Sequence, residues 1–309
     1  MLPFRLKPVY KNYLWGGKNL IHSWGKDSET EILAESWELA SHKDGDNIIL
    51  DGSCKNLTLS EAVKKYPEIV SPEFKPDDTF PLMFKLIDSQ LPLSIQVHPN
   101  DEYAMIHEHS KGKVESWYIL NHEEGAYIYL GLKHKITRSE LEDAIMNHSL
   151  TDILNKIYVN DGDTFFIPSG TLHAIGSGVT LAEIQENSNI TYRVYDYGRL
   201  GADGKPRELH IAKALDVANL EPVNYSAPRK SENIIMKCVE FCVERIKAPY
   251  SCRTNNNGFR FILCIDGMIN FTCGNVHYEI QKGRNVFVPS DCENEFMIEG
   301  NGECLITSE

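Results

Sequence analysis

Three stretches of this chain carry side chains that bind metals, at spacings that let them converge. In Ser94-Ile95-Gln96-Val97-His98-Pro99, apolar and polar residues alternate. Successive side chains of a strand point to opposite faces, so Gln96 and His98 share one face and Ile95 and Val97 the other. A polar pair on one face of an otherwise apolar strand requires partners or a ligand. Gly112-Lys113-Val114-Glu115 leads into an apolar strand, with Lys113 on the face of Glu115 if the strand begins that early. In Gly162-x5-Pro168-x-Gly170-x2-His173 a strand runs into a tight turn, and the turn returns a histidine toward the rest of the fold. Two imidazoles, a carboxylate and an amide oxygen suit a borderline divalent cation, with zinc favoured. Each residue alone would be an ordinary buried or capping side chain; together they share one physical reason.

The elements that must position these residues read as short strands. Ile48–Leu50, Leu93–Val97, Trp117–Leu120, Ala126–Leu130, Thr164–Ile167, Thr180–Gln185, Thr191–Tyr195, Arg260–Ile265 and Asn285–Val288 are divided by turn signals such as Asp161-Gly162-Asp163. Helical signal is local: a capping box at Thr137-Arg138-Ser139-Glu140 opens a helical stretch to about Lys156, and Ser60–Tyr66 and Glu208–Val217 are shorter helices. The turn ending in His173 matches the second cupin motif. The first cupin motif ordinarily supplies H-x-H and then a glutamate; here it reads Gln96-x-His98, then Glu115. Gly162-x5-Pro168-Ser169 is echoed by Gly283-x5-Pro289-Ser290, about 120 residues on. The pattern predicts a mainly β chain of two cupin-type β-barrels, or jelly rolls, with a small helical insertion. The first unit spans 1–218, with the metal site and the insertion near 137–157. A linker follows over Asn219–Glu232, and the second barrel spans 233–309. It carries no metal ligands, since Asn294 stands where His173 stands in the first.

The formal net charge of -13 does not suit nucleic-acid or membrane-surface binding, so cations that hold an anionic ligand must be gathered locally. The N-terminus lacks the apolar core of a signal peptide, and no apolar run nears the roughly 20 residues that span a bilayer. A cytoplasmic protein is expected. Seven of the eight cysteines lie from Cys238 onward, without a CxxC pair, and read as core thiols rather than disulfides or a zinc ribbon.

Taken together, the chain resembles the class I mannose-6-phosphate isomerases, the cupin-type, zinc-dependent ones, in their short bacterial form. The resemblance covers nearly the whole length. It rests on Tyr13-Leu14-Trp15-Gly16-Gly17, Glu35-Ser36-Trp37-Glu38, Pro81-Leu82-Met83-Phe84-Lys85, Gln96-Val97-His98-Pro99 and Gly112-Lys113-Val114-Glu115. It continues in Pro168-Ser169-Gly170-Thr171-Leu172-His173-Ala174, Gln185-Glu186-Asn187-Ser188-Asn189 and Thr191-Tyr192-Arg193-Val194-Tyr195-Asp196. It implies one zinc ion per chain on Gln96, His98, Glu115 and His173, a catalytic arginine at Arg193, and Lys113 and Glu183 in the active site. It implies a small sugar phosphate as the partner, no nucleic acid or membrane, and a monomer or weak homodimer.

Interconverting mannose 6-phosphate and fructose 6-phosphate moves a proton between C2 and C1 through an enediol. Arg193 keeps its proton, so it fits oxyanion stabilisation. Glu183 is a candidate base or a hydrogen-bonding support, and Lys113 an alternative acid or base or a plain cation. Arg193, Arg199, Arg207 and Lys213 are the candidate phosphate cations. Two rival readings are a cupin oxygenase using a two-histidine, one-carboxylate metal and a non-catalytic sugar-binding cupin.

Overall fold

A computed structural model of the chain describes residues 1–201, 204–223, 233–253, 257–292 and 295–309. Asn294 and most of the expected linker, 224–232, lie outside the described residues.

The first half builds two facing antiparallel sheets. One has five strands in the order Leu154–Tyr158, Tyr127–Leu132, His173–Ile175, Ile95–Val97, Tyr192–Tyr195. The other has six, in the order Thr164–Ile167, Glu115–His122, Val179–Glu186, Leu82–Ser89, Glu35–Leu39, Val9–Lys11. The second half repeats the plan with a five-stranded and a four-stranded sheet drawn from residues 234–308. All nine strands anticipated from the sequence are present within a few residues. The echoed motifs are equivalent: Gly162 and Gly283 both have positive φ, at 87° and 79°, and each precedes a four-residue strand, Thr164–Ile167 and Asn285–Val288.

The helical expectation near 137–157 runs too far. Helices cover Arg138–Met146 and Leu150–Ile153, and Leu154–Tyr158 is a strand paired with Tyr127–Leu132. The Thr137 capping box forms as expected and fixes where the helix starts. Its end is set by tertiary pairing, which propensity does not see. Likewise only Ile211–Val217 of the Glu208–Val217 segment is helical. None of the eight cysteines is in a disulfide, but three of them, Cys238, Cys242 and Cys252, are only half-buried rather than core.

Strand alternation divides the apolar residues among separate cores. Ile95, Val97, Ala174, Tyr192 and Val194 face outward, where Leu141, Ile145, Ala214 and Leu215 of the helices cover them. Phe84, Leu86, Tyr118, Ala182 and Ile184 leave the six-stranded sheet on its other side and pack with Phe241, Phe259, Phe261, Phe287 and Leu305 of the second half. A polar pin crosses this second core. Lys26 and Glu38 form a fully buried ion pair, Asn285 Nδ2 donates to Glu38 Oε2 at 3.2 Å, and Lys26 donates to the Gly283 carbonyl. The strand positions between these outward residues face into the first half.

Candidate metal centre and active site

The inward positions of the five-stranded sheet are polar at one end. Gln96 is the register partner of His173 on one side and of Arg193 on the other. The inward positions of the opposing sheet place Glu115 opposite Gln185, and Glu183 between Lys85 and Trp117. At the other end the same interior is apolar, filled by Ile119, Ile128, Leu130, Phe165 and Leu181.

His98, Glu115 and His173 are buried, and their ligand atoms lie within 4.8 Å of one another. Each imidazole is oriented from behind. His98 Nδ1 donates to the Ile190 carbonyl at 2.7 Å and His173 Nδ1 to that of Thr171 at 2.8 Å, which leaves both Nε2 lone pairs facing the cluster. Burial, first, and then Lys113 and His173 hold His98 well below the usual imidazole range; burial also lowers His173. Both are therefore neutral bases at neutral pH. The turn that brings His173 across is tied to His98, because Gly170 N–H donates to the His98 carbonyl at 2.8 Å. Gly170 has φ 82°, and a Cβ there would meet the Val217 carbonyl oxygen at 2.8 Å.

Glu115 is fully buried, with Oε1 3.2 Å from His173 Nε2 and Oε2 3.5 Å from His98 Nε2. Neither carboxylate oxygen accepts a hydrogen bond. Lys113 Nζ lies 2.6 Å from Oε2, an ion-pair contact in distance but not in the direction a hydrogen bond requires. A buried carboxylate left in this state is costly unless a cation completes it. Two neutral imidazole nitrogens and this carboxylate form a group able to hold a metal ion. Gln96 Nε2 is 3.3 Å from His173 Nε2, so the amide reaches the same point, and a half-turn of the amide presents its oxygen instead.

Lys113 reaches the centre although its strand begins only at Glu115. Its ammonium is also 3.3 Å from His98 Nε2 and 3.8 Å from Glu183 Oε1. Close approach of Gly112 to the backbone of Asn100 and Asp101, where no Cβ fits, seats this segment. Glu183 is held on both oxygens, by Lys85 Nζ at 3.1 Å and by Trp117 Nε1 at 3.1 Å. Burial alone would raise its pKa, but Lys113, Lys85 and these two hydrogen bonds bring it down to about 2.

Beside the cluster, and bordered by Gln96 and Lys113 that touch it, is a cavity of about 290 Å³ lined also by Glu183, Arg193 and Arg207. Arg193 donates to Ser94 Oγ at 3.2 Å and to the Glu208 carbonyl at 3.0 Å. Of the four candidate phosphate cations, Arg193 and Arg207 line this cavity. Arg199 does not: it is engaged by Asp196 and the Pro92 carbonyl, and Lys213 pairs with Glu108 at 2.7 Å. Tyr13, Trp15, Glu35, Lys85, Ser94 and His210 also line the cavity, with no role assigned to them individually from sequence. Lys85 carried a readable signal, as a lone charge inside the apolar run Leu82–Ile87.

The chain matches the description Phosphomannose isomerase type I, catalytic domain, over residues 3–129, and Mannose-6-phosphate isomerase, cupin domain, over residues 235–308. It is 35% identical to mannose-6-phosphate isomerase ManA of Bacillus subtilis, over 99% of this chain and 98% of that one. The chain belongs to the type I phosphomannose isomerase family. A mannose-6-phosphate isomerase of Streptococcus mutans is 31% identical over 98% of this chain and 99% of its own. The crystal structure of the mannose 6-phosphate isomerase from Bacillus subtilis superposes with a TM-score of 0.91 at 31% identity, each chain covered completely. A segment of the chain lies between the two matched spans. It carries His173, Glu183 and Arg193. No helix among the described residues is long and apolar enough to cross a membrane.

Proposed function

We propose that this chain interconverts mannose 6-phosphate and fructose 6-phosphate at a zinc ion held by His98, Glu115 and His173, with Gln96 as a fourth ligand through its amide oxygen. The observation that carries this reading is the buried Glu115 carboxylate, which accepts no hydrogen bond and sits between two imidazoles whose Nε2 atoms converge on it, beside a cavity lined by Lys113 and Arg193. A divalent ion there supplies Lewis-acid polarisation of the sugar oxygens. Arg193, fixed by Ser94 and the Glu208 carbonyl, presents its remaining N–H groups to the oxyanion that develops as C1 and C2 exchange a proton.

Proton transfer falls to Lys113 rather than Glu183. Both oxygens of Glu183 are occupied, and a carboxylate held near 2 is a weak base at neutral pH. Glu183 instead anchors the Lys85 ammonium and lies near Lys113, which must act as the neutral amine, having given up its own proton to solvent, to accept the proton from C2. In Glu183→Gln, exchange of the C2 proton with solvent persists at reduced rate, while Lys113→Met abolishes it; the opposite pattern would return the base assignment to Glu183. The reaction itself is tested by a coupled assay with mannose 6-phosphate before and after chelation, and inactivity of the zinc-loaded protein removes the isomerase reading.

A further inference from the structure

We propose that Arg207 is the group that recognises the substrate phosphate, and that the buried Asp196 is the positioning residue that aims it, with Arg199 behind as counter-cation; the inference rests on the isomerase reading above. Asp196 follows directly on the Tyr192–Tyr195 strand and is 6% exposed. Its carboxylate accepts from Arg207 Nε at 2.7 Å and Nη2 at 2.5 Å, a two-point fork that fixes the plane of that guanidinium. Arg199 Nη2 also donates to Asp196, and its Nη1 donates to the Pro92 carbonyl at 2.6 Å, so Arg199 is fully engaged in support. Arg207 differs: its Nη1 makes no hydrogen bond among the described residues, and the side chain lines the cavity.

Charge gives the same answer. One carboxylate faces two guanidinium groups, which leaves an excess of one positive charge, and Arg193 adds a second on the same cavity wall. The Glu208 carboxylate nearby is 83% exposed and screened by water. In a chain of net charge -13, such a surplus calls for an anion. Arg193 is pinned beside Gln96 at the reacting end, its Cα register partner. Arg207 therefore takes the far end, where a phosphate monoester dianion accepts from its open edge. Asp196 follows the strand that carries Arg193, past a register shift between Arg193 and Tyr195, and this short connection ties the group that aims Arg207 to the reacting end.

The test is steady-state kinetics of the zinc-loaded protein with mannose 6-phosphate and with unphosphorylated mannose, together with inorganic phosphate as competitive inhibitor. Arg207→Gln and Asp196→Asn raise KM for mannose 6-phosphate about 10- to 100-fold, the loss expected for one charge-assisted contact, with kcat within a few-fold. The inhibition constant of inorganic phosphate rises by a similar factor, turnover of mannose falls far less than that of mannose 6-phosphate, and Arg207→Lys restores part of the loss. Equal losses on both sugars, or an unchanged phosphate inhibition constant, overturn the proposal. Arg207→Gln keeps the Asp196–Arg199 pair, so it reports even where Asp196→Asn fails to fold. Inactive wild type would instead remove the isomerase reading, whereas active wild type with an equally discriminating Arg207→Gln removes only this inference.

Discussion

The two halves of the molecule share one plan and fill it oppositely. In the second half, inward positions are occupied by Ile262, Cys264, Phe271, Ile280, Val286, Phe296 and Ile298, an uninterrupted apolar filling. In the first, one end of the interior holds Glu115, His173, Glu183 and Lys85, all buried, with Gln96 and Arg193 half-buried beside them. Polar groups so placed stabilise less than apolar packing of the same volume, because desolvation offsets much of their attraction. The stability they forgo must be made up by apolar packing elsewhere, above all in the core shared between the halves. The same scaffold becomes a reaction vessel where its interior is polar, and a support where it is apolar.

The sharpest way to break this contrast is at His173. His173→Ala lowers kcat/KM at least about a thousandfold and the bound zinc per chain falls toward zero, with unfolding shifted far less; metal analysis and kinetics on one preparation check it. The mirror experiment is Phe271→Ala in the second half. It costs about 3–5 kcal/mol of stability in urea titration, while kcat and metal content of the folded fraction stay near wild type.

Acid separates the halves next. The folded-state pKa of Glu183 is depressed to about 2, so its contribution is fully present above the ordinary carboxylate value near 4.5 and is lost as pH falls from there through 2. The effect is of the order of 3 kcal/mol, since each tenfold change in proton affinity is worth about 1.4 kcal/mol. Chelator-treated wild type loses more stability across this window than chelator-treated Glu183→Gln; equal losses would place the charge elsewhere. The smallest expected effect is at Gly170, where alanine must hold a left-handed conformation against the Val217 carbonyl. A loss of about 1–3 kcal/mol is expected, with zinc affinity reduced because the same turn anchors His98.

Much of the centre was legible in the sequence because strand alternation is a strict rule. Ile95 and Val97 do pack outward while Gln96 faces the site, and Gly162 and Gly283 do open equivalent strands. Where the rule stopped, so did the reading. Lys113 enters the site from an irregular segment, so no period could place it. Arg199 and Arg207 are the same residue type eight positions apart, and only their shared carboxylate partner shows that one braces and the other faces the cavity. Leu154–Tyr158 is a strand because an edge was available to pair with, a fact the local sequence does not contain.

The six-stranded sheet has a consequence for anyone who would cut the enzyme down. Its inner face presents Lys85 and Glu183 to the cavity and Glu115 to the buried cluster beside it, and its outer face presents Phe84, Leu86, Ala182 and Ile184 to the second half. One layer of backbone is thus both chemical wall and structural seam. The catalytic half is not a portable module: trimmed to its own residues it would expose a sticky hydrophobic back, and the charged pair Lys26–Glu38 would lose the Asn285 and Gly283 contacts that now complete it. A minimal enzyme would need that back redesigned for water before its chemistry could travel.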